Sequence, residues 1–197
     1  MFRLVDVPLA LMSMPRIESS RVVLRAPAID DWPQWAELRT ASRAFLAPWE
    51  PTWPEDALTR DHFRRRLRHY MREWRAGEGY TFFVVAREER KLAGGISLGN
   101  VRRGVAQAAT VGYWMGQRYA GRGLMTEALA AMLPFVFEEL NLNRLEAACL
   151  PHNEPSKAVL RKVGFHEEGL ARQYLRINGA WHDHLLFALL STDYRRK

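Results

Sequence analysis

The run Gln117-Arg118-Tyr119-Ala120-Gly121-Arg122-Gly123 places two glycines and two arginines where a strand-like stretch becomes a helix-like one. A helix start presents unpaired N–H groups and the positive end of its dipole. Glycine lets an anion approach that backbone with no Cβ in the way. Arg118 and Arg122 can add charge-assisted bonds to phosphate oxygens. The chemistry indicated is the binding of a pyrophosphate along Arg118 to Thr126, at Gly121, Arg122, Gly123, Leu124, Met125 and Thr126. A tight turn with solvated arginines is the plainer alternative. Two familiar cradles are excluded: Leu124 follows Gly123 where a Walker loop needs Lys-Ser/Thr, and Thr126 stands where a dinucleotide fingerprint needs its third glycine.

These residues need elements to hold them. "SRVVLRAP" alternates and stops at a proline, so it reads as a first strand. Asp30-Asp31 offer an N-cap to a helix with Trp32, Trp35 and Leu38 at helical spacing. Pro48, Pro51 and Pro54 make "LAPWEPTWPED" a shaped loop carrying Trp49, Glu50 and Trp53. Residues 59–75 form an amphipathic helix with Phe63, Leu67 and Trp74 inside and arginines outside. Three strand-like runs from Tyr80 to Met115 suggest an antiparallel meander, and a helix follows in which Pro134 predicts a kink. "RLEAACL" is a short strand, "PSKAVLRKV" a short helix, and Asn178-Gly179 turns a closing hairpin over Gln173 to Leu190. The order of elements is mixed α/β. Residues 1–15 read as a loosely docked leader and 16–197 as one domain.

The pattern Gln117-x-x-Gly121-x-Gly123 resembles the Q/R-x-x-G-x-G/A signature of the GNAT acyltransferases. The segment "CLPHNEPSKAVLRKVGF" resembles that family's second half-site, with Asn153, Ser156, Gly164 and Phe165 in its N-x-x-S and G-F positions. "FLAPWEP", "GLMTEAL", "LPHNEPS" and "INGAWHDHLLFAL" resemble the RimJ/RimL branch, RimJ above all. The resemblance covers about Arg21 to Leu190. It implies the acyl-CoA N-acyltransferase fold, a mostly antiparallel sheet splayed in the middle with flanking helices. It also implies acetyl-CoA as co-substrate, held by Tyr113, Trp114 and Met115 on the splayed strand, by the phosphate loop, by Asn153 on the pantetheine arm and by Arg161. The acceptor it implies is the N-terminal α-amine of a ribosomal protein beginning with alanine.

Roles for side chains follow from that resemblance. Ser156 stands where a hydroxyl assists the leaving thiolate, with capping of its own helix as the alternative. Many members use instead a tyrosine where this chain has Arg161, which strengthens Ser156. In a related branch a glutamate base stands where this chain has Ala148, so Glu50 becomes the candidate base, with ammonium recognition or loop stiffening as its alternatives. An α-amine, whose reference pKa is ~7.7–8.0, asks little of a base. Trp49, Glu50, Tyr174 and Trp181 are the expected walls of the acceptor site.

Composition bounds the alternatives. The 197 residues carry 29 Lys+Arg and 22 Asp+Glu, a formal charge of +7, which suits an anionic ligand. Arg64, Arg65, Arg66, Arg68, Arg72 and Arg75 on helix 59–75 raise contact with RNA or with ribosomal assemblies. A nucleic-acid module alone would leave the phosphate loop and Asn153–Ser156 unexplained. An acetyltransferase for a polyamine or an antibiotic is the remaining rival. Cys149, the single cysteine, suits a reducing, cytoplasmic setting and reads as a buried inert thiol. His182 and His184 share a strand face with no acidic or thiol partner nearby, so no metal is expected. No apolar run reaches membrane-spanning length.

Overall fold

A computed structural model describes residues 14–194. The expected leader, 1–15, falls almost wholly outside the described residues. An eight-stranded sheet runs β1 (Ile17–Glu18), β2 (Val22–Arg25), β3 (Tyr80–Ala86), β4 (Lys91–Arg102), β5 (Ala108–Met115), β6 (Arg144–Cys149), β8 (Ala180–Leu190) and β7 (His166–Ile177) in space. All neighbours are antiparallel except β5 and β6. The helices are α1 (Trp32–Ala41), α2 (Arg43–Leu46), α3 (Arg60–Ala76), α4 (Leu124–Pro134), α5 (Glu154–Val163) and α6 (Ser191–Tyr194). β3 to β5 form the expected meander.

The site is positioned by a failure of pairing. β5 and β6 pair in parallel only at Ala108–Arg144, Ala109–Leu145 and Thr110–Glu146. Beyond those residues β5 stays on β4, where Met115 still faces Gly94, and β6 stays on β8, where Cys149 faces Leu185. The two halves of the sheet separate, and the edges of Val111–Met115 and Ala147–Cys149 face one another unpaired. The splay sits where the sequence resemblance implies it.

Each half has its own packing. α3 turns Phe63 into the core against Trp35 and Phe83, with ring centroids 4.9 and 6.2 Å away. Thr59 caps α3 by accepting from the His62 N–H, and Gly77 ends it in the left-handed region. α4 buries Leu124, Met125, Ala128, Leu129, Met132 and Leu133. Burial of this kind stabilises by about 25 cal/mol for each Å² of apolar surface removed from water.

The structure adds to three expectations. Asp31 is the N-cap residue of α1, as expected, but its side chain does not bond that helix. Its carboxylate accepts from Arg25 and from the Ala28 N–H, both at 2.7 Å, and so closes a 3-10 turn ahead of the helix. Pro134 is the last residue of α4, and the helical path changes there to a π turn, Phe135–Glu139, which is the irregularity expected at this proline. The closing hairpin is longer than expected, because β7 begins at His166 and not near Gln173. Its turn is as expected: Asn178 and Gly179 both have positive φ, 52° and 84°, as a type I′ turn demands.

Candidate active site

The loop after β5 is anchored before it reaches its glycines. Ser42, buried between α1 and α2, accepts from the Gln117 N–H at 2.9 Å. Gly121 and Gly123 then take φ of 73° and 76°. A Cβ at Gly121 would meet nothing within 4 Å, so the left-handed backbone and not crowding calls for glycine there. Gly123 is the N-cap of α4 and offers no side chain, so the first N–H groups of α4 have no side-chain cap. A helix start of this kind binds an anion.

Glu127 fixes the direction of that helix start. Its carboxylate accepts from Ser19 and Ser20 hydroxyls at 2.8 Å, from the Arg21 N–H at 2.7 Å and from Arg21 Nε at 2.6 Å. Burial alone would raise its pKa, but these donors overcome burial and hold it at about 2.

A cavity of about 660 Å³ opens from the phosphate loop through the splay. Tyr113, Trp114, Met115, Gly121, Gly123, Leu124, Met125, Thr126, Asn153, Ser156, Trp49 and Glu50, all singled out in the sequence, line it. Its lining and the loop at one end suit an acyl-CoA: unpaired backbone on the splayed strand for an amide-bearing arm, and a helix start without a side-chain cap for a pyrophosphate.

The structure does not bring every expected residue to the wall. Arg118 and Arg122 lie over the Tyr119 ring, at 4.9 and 5.6 Å, and Arg122 donates to Glu89 at 2.9 Å. Arg161 is engaged by Glu167 at 2.8 Å, and Lys162 lines the cavity in its place. Tyr174 and Trp181 also stand off the wall, exposed, while their neighbours Leu175, Arg176, Ile177 and His184 line the cavity. The outer arginines of α3 border a different groove, lined by Ile29, Arg64, Leu67, Arg68, Met71 and Arg72 among others, that shares no residue with the cavity.

Ser156 is freed from capping. Asn153 caps α5, its Oδ1 accepting from the Ser156 N–H at 3.1 Å. The Ser156 hydroxyl lies 2.9 Å from the Tyr113 hydroxyl. Burial pushes the Tyr113 phenol far above its ordinary pKa, so it stays protonated and can donate to the serine. With Tyr113 donating to Ser156 Oγ, the serine proton is left for another acceptor, and the Cys149 side chain lies within its reach. Sequence reasoning missed this pair, because only the splay lets a β5 side chain reach the start of α5. Burial also pushes the Cys149 thiol up, and it stays protonated on the cavity floor.

Among the described residues Glu50 is the only carboxylate on the wall, and it is engaged by its neighbours. Arg39 donates to its two oxygens at 2.8 and 2.6 Å, and the Trp53 indole donates at 2.8 Å. The Arg39 guanidinium lies 4.2 Å from the Trp53 ring centroid and 4.9 Å from that of Trp114. This geometry stiffens the loop onto β5. Arg39, on α1, carried no sequence signal because its partner lies across a turn. Across the mouth, the Thr52 N–H donates to Asn178 Oδ1 at 2.7 Å, joining the loop to the hairpin tip. His184, buried, has Nδ1 3.0 Å from the His182 carbonyl, so Nδ1 is the donor and Nε2 is the ring nitrogen left without that contact.

Residues 21–166 match the model of the acetyltransferase (GNAT) domain. The chain is 34% identical to the [ribosomal protein uS5]-alanine N-acetyltransferase of Escherichia coli over 91% of its length and 92% of that enzyme's. Among solved structures it superposes on the ribosomal-protein-S5-alanine acetyltransferase of Vibrio fischeri with a TM-score of 0.83, at 33% identity, covering 91% of this chain and 98% of that one. It superposes on Mycobacterium smegmatis RimJ in complex with CoA-disulfide with a TM-score of 0.82, at 35% identity, covering 87% and 83%. The family model over most of the chain and these relatives show that the chain belongs to the GNAT family and is an N-acetyltransferase that draws its acetyl group from acetyl-CoA.

Proposed function

We propose that the chain acetylates the N-terminal α-amine of a ribosomal protein beginning with alanine. The observation that carries this reading is that the carboxylate which the described residues place on the cavity wall, Glu50, is held by Arg39 and Trp53. The attacking amine must be neutral. A lysine is harder to deprotonate than an α-amine by about 2.5 pKa units, or about 3.5 kcal/mol. A wall whose carboxylate is held in this way therefore suits the α-amine.

In this reading acetyl-CoA supplies the activated acetyl group. Backbone groups of Val111–Met115 orient the pantetheine arm, and the α4 start receives the pyrophosphate. His184 Nε2 accepts the proton that the amine loses as its C–N bond forms. Ser156, oriented by Tyr113, donates a hydrogen bond to the sulfur as the C–S bond breaks. The bridge between Thr52 and Asn178 narrows the mouth, so that a chain end enters more readily than a side chain on a folded surface. The E. coli and V. fischeri relatives named above act on an alanine of the same ribosomal protein, which supports the choice of acceptor.

The test is an octapeptide that begins with alanine and carries one internal lysine. The expected product bears one acetyl group, on the α-amine. Acetylation of the lysine in preference would overturn the reading.

A further inference from the structure

Five large hydrophobic side chains stand exposed among the described residues, and four of them, Leu170, Tyr174, Leu175 and Trp181, lie on one hairpin. Trp181 is 58% exposed and Tyr174 46%. Neither the Trp181 indole N–H nor the Tyr174 hydroxyl meets a hydrogen-bond partner among the described residues. Exposed apolar side chains scattered singly need no explanation, but a cluster rimmed by polar groups marks a contact surface. Tyrosine and tryptophan are the residues that dominate binding energy at such surfaces.

The position of the cluster names its occupant. Arg176 lines the cavity and is the cross-strand partner of Trp181, so their side chains share a face at the hairpin tip. The Tyr174 ring lies 5.8 Å from that of His184, which also lines the cavity. Leu175 is both exposed and part of the wall. The patch is thus the outer lip of the cavity mouth, continuous with the acceptor side. β7 is an edge strand, but bulges at Glu167/Gly169 and Ala171/Leu175 break its register. Bulges blunt an edge against strand addition, so contact here runs through side chains.

Resting on the reading that the acceptor is a protein N-terminus, we infer that Tyr174 and Trp181 form a docking surface for the acceptor protein beyond its first residues. The cavity takes the terminal residue, and the hairpin face holds the segment that follows as it leaves the mouth. Acceptor length, and not only the first residue, then governs affinity. The indole N–H and phenol hydroxyl are placed to bond the backbone of that segment.

The experiment compares two acceptors with the same start: intact uS5, and a tetrapeptide copying its first four residues. Trp181→Ala and Tyr174→Ala are exposed changes, and an unchanged KM for acetyl-CoA checks that each variant folds. The expected result is a KM for intact uS5 raised about tenfold by Trp181→Ala, with the tetrapeptide's constants within about twofold of wild type. Equal changes for both acceptors, or no change for either, would overturn the inference. A Trp181→Ala shift from dimer to monomer in light scattering would assign the face to a second copy of this chain and also overturn it. Failure of the wild-type chain to acetylate either acceptor would instead overturn the underlying reading, and the inference with it.

Discussion

At the scale of single residues, the division of labour at α5 is the part that only coordinates disclose. N-x-x-S can be read in the sequence, but which of Asn153 and Ser156 caps the helix cannot. Asn153 does, and Ser156 is left with a hydroxyl aimed by Tyr113. Ser156→Ala is expected to lower kcat by about 10- to 100-fold with the acetyl-CoA KM little changed. Tyr113→Phe should lower kcat by a smaller factor, about three- to tenfold, and the double variant should be no worse than Ser156→Ala, because the tyrosine acts through the serine. Steady-state kinetics of the four proteins check this, and a double variant showing the product of the two single effects would contradict it. Glu50 belongs to the same scale. Its paired carboxylate predicts that Glu50→Gln raises the acceptor KM by loosening the loop and leaves the shape of the pH–rate profile unchanged.

At the scale of elements, the phosphate loop was legible because its chemistry is written in contiguous residues. Two glycines, a following helix and a preceding strand all lie within Gly112–Leu129. The structure adds the reason for glycine. Gly121 has open space around it, so only its φ of 73° resists a side chain. Gly121→Val should weaken CoA binding by more than about tenfold, whereas Gly121→Asn should cost less, since asparagine tolerates the left-handed region. Calorimetry that finds the two variants alike would place the effect elsewhere. The acceptor side was less legible, and the cause is a strand's two-residue period. Tyr174 and Trp181 were expected as walls, but Tyr174 falls in the bulge between Ala171 and Leu175, and bulges leave no simple sequence mark. Glu127 is a further element-scale contact unseen in the sequence, since Ser19, Ser20 and Arg21 lie more than 100 positions away. Its carboxyl is held at about 2 against an ordinary 4.5, so the lowered value stabilises the fold above pH 4.5. That stability is lost as pH falls from 4.5 toward 2. Glu127→Gln should cost about 1 kcal/mol at pH 7 and remove this part of the acid limb, which urea unfolding at a series of pH values would read.

At the scale of the whole molecule, the splay between β5 and β6 joins a donor half, built from β5, α4 and α5, to an acceptor half, built from the loop after α2 and the β7–β8 hairpin. The chain order of strands and helices, read with the motifs, was enough to expect this sheet. The bridge from Thr52 to Asn178 was not, because it joins two turns 126 positions apart. The central claim is that this architecture serves an α-amine at the end of a protein chain. The most direct measurement is mass spectrometry of ribosomal proteins, purified in unacetylated form, after incubation with the chain and acetyl-CoA. The account predicts acetyl groups on an N-terminal alanine, with internal lysines unmodified. Acetylation confined to internal lysines, or found only on added polyamines or aminoglycosides, would contradict it.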